Sequence, residues 1–379
     1  MKPLGIYIHI PFCQRKCHYC DFVSYTGKEE LMKEYIISLE KEMILYSEEM
    51  SDYKVKTIFI GGGTPSILQG KEMRKIIACL SRHYHLEKDI EISIEANPGL
   101  LDKEKLNSYY SSGINRLSIG LQACQNHLLQ NLGRIHRYED FIWNLEDARR
   151  VGFTNINVDL MFGLPNQKIE EWYASLKTLV ELEIPHLSTY SLIIEEDTPF
   201  HQWVEEKRIE KIDEEMELAM YHDAINYLKD KGYTHYEISN FAKPSYKCQH
   251  NMIYWRNQEY LGFGVAAHSH LHKKRFNNHQ KIEIYCSSLQ KNQKPIEDVI
   301  SLSLKDEISE TMFLGLRMMT GISVKDFEKR FKKTPYEIYG EKLEELRKNQ
   351  LIEYNDNFVK LTTKGIDLAN RVFQEMLLD

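Results

Sequence analysis

The hydrophobic pattern of the first half of the chain predicts strands and helices in alternation. Six segments rich in Ile, Val, Leu, Tyr and Thr are typical of buried strands: GIYIHIPF near the start, KTIFIGGG at 56–63, DIEISIEANP at 89–98, NRLSIGLQ at 115–122, NINVDLMFGLP at 155–165 and HLSTYSLII at 186–194. Apolar residues recur at helical spacing within 28–50, 138–151, 169–182 and 213–231. A strand followed by a helix, repeated, is the pattern of parallel βα units.

These units predict an α/β fold with a partial (β/α) barrel of the TIM type, since a complete barrel of eight units needs about 250 residues. A flat doubly wound sheet is the alternative. Functional residues of a barrel collect at the C-terminal ends of its strands. Polar residues and glycines stand at those ends here, namely His9, residues 61–64, Glu95, Gln122 and Asp159. For the glycines alone, turn formation is the better explanation.

The pattern changes after about residue 300. Three closely spaced helical stretches, ISETMFLGLRMM, VKDFEKRF and PYEIYGEKLEELRKN, precede two short strands around an Asn-Asp-Asn turn and a closing helix with a threonine cap. Helices followed by a hairpin are typical of a winged-helix module. We therefore predict a barrel core at 1–230, a connecting segment at 231–300 and a smaller, helical, winged-helix-like domain at 301–379.

Composition narrows the classes of function. An apolar share of 42% and a charged share of 28% are ordinary for a soluble globular protein. Winged-helix modules often bind DNA, but the net charge of −7 favours packing against a neighbouring domain, so no nucleic-acid partner is expected. No apolar stretch is long enough to span a bilayer and the start lacks a leader pattern, so we expect a cytoplasmic protein.

Three of the seven cysteines fall within eight residues, which a disulfide framework does not explain. Cys13, Cys17 and Cys20 have the spacing C-x3-C-x2-C on a loop that follows a strand, close enough to surround one face of a cubane iron–sulfur cluster. Three ligands for four irons leave one position open. A zinc site is the alternative, with His9 or His18 as the fourth ligand.

This loop after YIHIPF, together with GGGTPS after the second strand, resembles the radical S-adenosylmethionine (SAM) superfamily. The resemblance implies a [4Fe–4S] cluster whose open iron binds the amino and carboxyl groups of SAM. It assigns Tyr7 as the aromatic residue before the cysteines, Tyr19 to the adenine, Gly62, Gly63 and Thr64 to the methionine end, Glu95 to a polar group of SAM, and Gln122, Arg134 and Asp159 to the remaining polar positions.

These roles agree with the chemistry of the side chains. Arg134 can form a bidentate pair with a carboxylate, and Glu95 and Asp159 can accept hydrogen bonds from an ammonium group or from ribose hydroxyls. Each residue also has a simpler explanation. Asp159 within an apolar strand could be a paired core acid, and Arg134 could be an ordinary surface cation.

Over essentially the whole chain, the motifs HIPFC, GGGTPS and DLMFGLP and the C-terminal module resemble the oxygen-independent coproporphyrinogen III oxidase family. That family contains the oxidase and a haem chaperone branch. The oxidase has a fourth cysteine, in C-x3-C-x2-C-x-C, and a longer N-terminal segment. Phe22 stands at that position here, and only twelve residues precede Cys13. Both differences favour the chaperone branch, although activity as that oxidase or as another radical SAM enzyme stays an alternative.

The motif HNMIYW at 250–255 matches the HNxxYW motif that the resemblance associates with haem binding. A histidine such as His250 can be an axial ligand of haem iron, and aromatic neighbours can stack on the macrocycle. A packed, hydrogen-bonded core histidine is the alternative. Cys248 is a second candidate ligand, and HSHLH at 268–272 is another histidine group, whose alternation predicts that His268, His270 and His272 lie on one side of a strand. We expect a haem-binding chaperone that passes haem to an acceptor protein and meets a membrane only through that acceptor.

Overall fold

The computed structural model describes residues 1–378, in which twelve strands form one sheet. They are β1 (Lys2–Ile10), β2 (Tyr53–Gly62), β3 (Leu86–Ala96), β4 (Arg116–Gln122), β5 (Asn155–Phe162), β6 (His186–Ser191), β7 (Thr234–Glu237), β8 (Asn240–Ala242), β9 (Tyr260–Phe263), β10 (His268–Leu271), β11 (Lys274–Asn278) and β12 (Ile296–Ser301). The six strands β1 to β6 lie side by side in chain order and run parallel. Because the order never reverses, the sheet is a partial barrel and not a doubly wound sheet. The predicted α/β barrel fold is confirmed.

Helices connect the strands of this sheet. They are α1 (Met32–Ser47), α2 (Gly70–His83), α3 (Lys103–Ser111), α4 (Asn126–Asn131), α5 (Tyr138–Val151), α6 (Ile169–Glu181), α7 (Pro199–Glu205), α8 (Glu214–Asp230), α9 (Gln249–Trp255) and α10 (Ile282–Gln290). Leu4, Ile6, Ile8 and Ile10 of β1 are fully buried and belong to the main hydrophobic core. Their neighbours in sequence therefore face the inside of the barrel, because side chains alternate along a strand.

The segment 231–300 extends both edges of the sheet. β8 pairs antiparallel with β6, and β9 pairs parallel with β1. β10, β11 and β12 then continue the sheet as an antiparallel meander. The predicted boundary at 230 thus lies between strands of one sheet, and the division into domains stays a prediction.

The C-terminal part has a hydrophobic core of its own, which includes Met312, Leu343 and Val372. Its elements are α11 (Leu304–Gly315), β13 (Ile322–Ser323), α12 (Val324–Phe331), α13 (Pro335–Lys348), β14 (Ile352–Tyr354), β15 (Phe358–Leu361), α14 (Thr363–Asp367) and α15 (Ala369–Glu375). The side chain of Thr362 caps the closing helix, as predicted. The prediction of a single closing helix is wrong, because Leu368 at φ −113° and ψ 27° interrupts it. Each helix within residues 1–378 is too short or too polar to cross a bilayer.

A buried glutamate joins α1 to the loop after β9. The Glu42 carboxylate accepts hydrogen bonds from the amide N–H of Gly264 at 2.8 Å, from Asn278 Nδ2 at 2.6 Å and from the Tyr285 hydroxyl at 2.6 Å. Burial raises the pKa of Glu42 to about 7, although these three bonds act in the opposite direction. The loop after β9 is therefore held to α1 by hydrogen bonds to a glutamate whose pKa is raised.

This glutamate makes stability depend on pH. Because its pKa lies above the ordinary 4.5, its contribution is full below about pH 4.5 and is lost as the pH rises through about 7. As the pH rises through this range, Glu42 must ionise in the folded protein, and we expect the free energy of unfolding to fall by roughly 3 kcal/mol. Urea unfolding at about pH 5 and about pH 8 measures this difference, which Glu42→Gln should reduce and the exposed Glu48→Gln should not. Equal pH dependence in the wild type and Glu42→Gln would contradict the prediction.

Candidate functional site

The loop that contains the three cysteines, here called the cysteine loop (residues 11–25), follows β1 at the C-terminal end of the barrel. Cys13 is buried, and Cys17 and Cys20 are half-buried. The loop returns on itself, because the amide of Cys13 donates to the carbonyl of Tyr25 at 2.9 Å and the amide of Tyr25 donates to the carbonyl of Pro11 at 2.7 Å. These two bonds hold the loop closed over the end of the strand.

The three thiols influence one another electrostatically. Burial raises the pKa of the Cys20 thiol to about 11, and Cys17 and Cys13 add to this effect. Burial also raises the pKa of Cys13, whose sulfur accepts a hydrogen bond from the Thr64 hydroxyl at 3.4 Å. Within residues 1–378 no group of His, Cys, Asp and Glu is arranged to hold a single metal ion. The thiols are the donors that an iron–sulfur cluster takes, one for each of three different irons.

The glycines after β2, here called the glycine turn (residues 61–64), pack against the cysteine loop so closely that side chains would not fit. A Cβ on Gly63 would lie 2.9 Å from the sulfur of Cys13, and one on Gly61 would lie 3.0 Å from Glu95 Oε2. Gly62 has φ +118°, which disfavours other residues, and its amide donates to Glu95 Oε2 at 3.2 Å. Turn formation is therefore only one reason why glycine stands at these positions. The second reason is the short distance between this backbone and the side chains around it.

Two acids lie next to each other beside the glycine turn. Loss of solvation and the neighbouring Asp159 raise the pKa of Glu95 to about 8. Loss of solvation also raises the pKa of Asp159, although Asn157 Nδ2 donates to its carboxylate at 2.7 Å. The charges of Glu95 and Asp159 therefore act on each other beside the glycine turn. The charge of Arg134 also acts on Asp159, so this acid lies near other predicted site residues rather than in an isolated core position.

Arg134 lies beside the cysteine loop and is not an ordinary surface cation. Its Nη1 donates to Asn97 Oδ1 at 2.9 Å, and Asn97 Nδ2 donates to the Thr64 hydroxyl at 3.2 Å. The Nε atom of Arg134 is buried and has no hydrogen-bond partner among residues 1–378. Arg134, Asn97, Thr64 and Cys17 line one pocket. The sequence analysis missed Asn97, although its place two residues after Glu95 in SIEANPG was a usable signal.

The remaining predicted residues of this region lie nearby. A Cβ on Gly120 would lie 3.1 Å from Gln122 Nε2 and 3.0 Å from Arg134 Nη2, which places Gln122 beside Arg134. Burial raises the pKa of Tyr19, and the charges of Arg134 and of the cysteines act on it. The Tyr7 hydroxyl is hydrogen-bonded to His9 Nδ1 at 3.0 Å. The structure therefore brings these residues and the three cysteines together at one end of the barrel.

His250 lies apart from that end, in α9, and is fully buried. Its Nδ1 is hydrogen-bonded to the Thr57 hydroxyl at 2.7 Å and its Nε2 to the Tyr254 hydroxyl at 2.8 Å. Burial and the charge of Arg116 lower the pKa of His250 to about 3, so the ring is neutral. A neutral imidazole has one lone pair, and both nitrogens are engaged here. The predicted iron ligation therefore requires one of these bonds to break.

The other candidate ligands near the motif are also enclosed. Cys248 is fully buried, its thiol donates to Glu91 Oε1 at 3.7 Å, and burial raises its pKa to about 12. His268 and His270 belong to β10, whereas His272 follows it at φ +52°. The expectation that all three histidines lie on one side of a strand is therefore wrong for His272.

A pocket of about 370 Å³, here called the outer pocket, lies between the motif and the C-terminal domain. Its walls are Tyr254, Trp255, Tyr260, Arg275, Glu310, Phe313 and Leu314. Arg275 forms a two-point ion pair with Glu310 at 2.6 and 2.9 Å. The Arg317 guanidinium lies 4.4 Å from the ring of Trp255, and the indole Nε1 has no hydrogen-bond partner in the part of the chain that the structure describes. This pocket combines aromatic walls with one cation, Arg275, whose charge is paired with Glu310.

Comparisons with known proteins agree with this arrangement. The model of the Radical SAM superfamily matches residues 7–179, and that of the HemN C-terminal domain matches residues 302–368. The fold and the cysteine loop therefore define a radical SAM protein. Coproporphyrinogen III oxidase (HemN) from Escherichia coli shares the fold, with a TM-score of 0.86 and 23% identity over 99% of this chain and 90% of that chain.

Curated relatives identify the family. The protein named Heme chaperone HemW from Bacillus subtilis is 37% identical and covers 98% of both chains. That of Lactococcus lactis is 37% identical over 100% of this chain and 98% of the relative, and that of Escherichia coli is 39% identical over 71% of this chain and 70% of the relative. The chain belongs to the HemW family.

Proposed function

We propose that this protein is a haem chaperone, which binds haem and passes it to an acceptor protein, and that it holds a [4Fe–4S] cluster with SAM at the open iron. The observation that carries the haem part is the outer pocket, which the Tyr-Trp pair of the HNxxYW motif and the C-terminal domain form together. The names of the HemW relatives and Phe22, in the place of the oxidase's fourth cysteine, support the same function.

The cofactor residues act as a set at the end of the barrel. Cys13, Cys17 and Cys20 would bind three irons, and the open iron would supply the binding position for the amino and carboxyl groups of SAM. Around it, Gly62, Gly63 and Thr64 would present backbone and hydroxyl groups, Arg134 would pair with the carboxylate, and Glu95 and Asp159 would accept from cationic or hydroxyl groups. Tyr19 would pack against the adenine, with Tyr7 and Gln122 completing the walls.

The outer pocket suits a flat, largely apolar ligand with anionic groups at one edge. Its volume of about 370 Å³ is within the range of ligand pockets, roughly 300–1,000 Å³. Trp255 and Phe313 would stack on or against the edge of the macrocycle. Arg317, which lies against Trp255 and 3.7 Å from the Glu237 carboxylate, would pair with a propionate on leaving Glu237. His250 lies behind Tyr254, so it becomes a ligand only if its ring leaves Thr57 or Tyr254.

A haem titration of the anaerobically reconstituted protein tests this proposal. Trp255→Ala removes one aromatic wall, and we expect its haem affinity to fall by about 30-fold, as for a central aromatic contact. Trp143, on α5, has 64% of its surface exposed, so Trp143→Ala is the matched control and should bind haem like the wild type. Equal affinity in Trp255→Ala and the control would contradict the proposed pocket.

The same titration tests whether His250 is an iron ligand. Loss of an axial ligand changes the position of the Soret band, so a His250 ligand predicts a shifted band in His250→Ala. A band of unchanged position would show that iron is held by another residue. Absence of any Soret band in the wild type would contradict haem binding itself.

A further inference from the structure

A column of rings runs inside the barrel from α9 to the cysteine loop. The ring of Phe59 stacks on that of His250, with centroids 5.3 Å apart, and on that of Tyr7 at 6.5 Å. The Tyr7 hydroxyl is hydrogen-bonded to His9 Nδ1 at 3.0 Å, and His9 Nε2 to the carbonyl of Val23 at 2.8 Å. Val23 belongs to the cysteine loop. Contacts are therefore continuous from the HNxxYW motif to that loop.

The lower end of the column is attached to two strands. The amides of Gln249 and His250 donate to the carboxylate of Glu91 on β3, at 3.0 and 3.1 Å. The His250 ring is bonded to Thr57 on β2, and Thr57 is opposite Glu91 in the sheet. These bonds fix the orientation of the imidazole, so it is a rigid support for the ring of Phe59.

The upper end of the column touches the proposed SAM site. A Cβ on Gly61 would lie 3.1 Å from Tyr7 Cε2 and 3.0 Å from Glu95 Oε2, so the tyrosine ring, the glycine turn and the acid are packed tightly. The amide of Gly62 donates to the same Glu95 oxygen. A displaced Tyr7 ring would shift both the glycine turn and the hydrogen bond to His9. A misplacement of about 1 Å can cost about 100-fold in rate where groups must meet in an exact geometry, so small shifts at this end have large effects.

We propose that His250 is a positioning residue for the SAM site and the cysteine loop, acting through Phe59, Tyr7 and His9. The inference rests on the proposed SAM site and adds a second role for the motif, inside the barrel. His250 does not touch SAM in this arrangement. Its removal takes one hydrogen-bond partner from each of the Thr57 and Tyr254 hydroxyls and leaves Phe59 with one stacking neighbour, Tyr7, instead of two. The ring of Phe59 therefore loses its support on the side of α9.

The variant Phe59→Leu isolates this role, because it interrupts the column and leaves His250, its hydrogen bonds and the outer pocket unchanged. With full-length protein holding its iron–sulfur cluster, we expect SAM to bind about tenfold more weakly. The change that SAM causes in the EPR spectrum of the reduced cluster should also differ from that of the wild type. Haem affinity should stay the same. Phe59 is only half-buried, so the substitution should be compatible with folding.

Phe153→Leu is the control for a general loss of core packing. Phe153 is more deeply buried, at 1% exposure, but packs against Tyr110 outside the barrel, so its variant should bind SAM like the wild type. His250→Gln keeps a hydrogen-bonding side chain without the ring and should weaken SAM binding like Phe59→Leu. It also provides the test if Phe59→Leu does not fold.

Three results would count against the inference, and they are distinguishable. If the wild type binds SAM and both column variants bind it equally well with the same EPR change, the column has no positioning role while the proposed function stands. If the wild type holds the iron–sulfur cluster but binds no SAM, the proposed SAM site fails, and this inference fails with it. If Phe153→Leu weakens SAM binding as much as Phe59→Leu does, the effect comes from a general loss of core packing, which counts against the inference.

Discussion

Replacement of Cys13, Cys17 or Cys20 by serine should abolish the iron–sulfur cluster in each single variant. The three thiols are the only cysteines of the cysteine loop, and two ligands cannot hold a cubane in place of three. Iron and sulfide analysis and the visible absorption of the anaerobically reconstituted protein measure the loss. The expected result is a cluster content near zero against one cluster per chain in the wild type.

Cys79→Ser is the matched control for this experiment. Cys79 is buried on α2, and its thiol donates to the carbonyl of Glu40 at 3.8 Å, away from the cysteine loop. Its serine variant should keep the full iron content. Full iron and sulfide in any of the three loop variants would contradict the assignment. One zinc per chain and no sulfide in the wild type would favour the structural zinc site instead.

Loss of Arg134 should have the second largest effect, on SAM affinity. The guanidinium is held by Asn97 beside the cysteine loop and keeps a buried Nε without a partner, so it is oriented and available to a carboxylate. We expect Arg134→Leu to weaken SAM binding by about 100-fold, the scale of a lost buried charged pair. Arg134→Lys keeps the charge without the two-point geometry, and its affinity should lie between the two.

Equilibrium binding of SAM, measured beside the iron content of each preparation, checks this expectation. The side chain of Arg137, three residues further on, is 71% exposed, so Arg137→Leu is the matched control and should bind SAM normally. If Arg134→Leu keeps its iron–sulfur cluster and binds SAM like Arg137→Leu, Arg134 does not bind the carboxylate. If Arg134→Leu loses its iron and Arg137→Leu does not, the role of Arg134 is instead to stabilise the cysteine loop.

One short helix, α9, lines the outer pocket and is connected to the proposed SAM site through the ring of Phe59. His250 and Tyr254 face the inside of the barrel through their mutual hydrogen bond and the stack with Phe59, whereas Trp255 lines the outer pocket together with residues of α11. A ligand that moves Tyr254 in the outer pocket would therefore act on the hydrogen bond of His250. This arrangement gives haem binding and SAM binding a common structural element, which the variants of Phe59 and Trp255 separate.

Local pattern was sufficient for much of the fold. The alternation within β1 and the helical spacing within α1 are properties of neighbouring residues, so the parallel units could be predicted from them. The spacing of Cys13, Cys17 and Cys20 likewise lies within one loop and needs no distant partner. Where short segments depend on their surroundings, prediction failed: Leu368 divides the closing helix, and His272 leaves the strand at a turn.

The sequence by itself thus determined the parallel units of the barrel and the cysteine loop, because periodicity and spacing are carried by nearby residues. Only the tertiary structure decided that β9 pairs with β1, about 250 residues away in sequence, and that α9 lies inside the barrel. That placement encloses both nitrogens of His250 and connects it to Phe59. Which polar groups meet depends on contacts between distant segments, and no local pattern records those contacts.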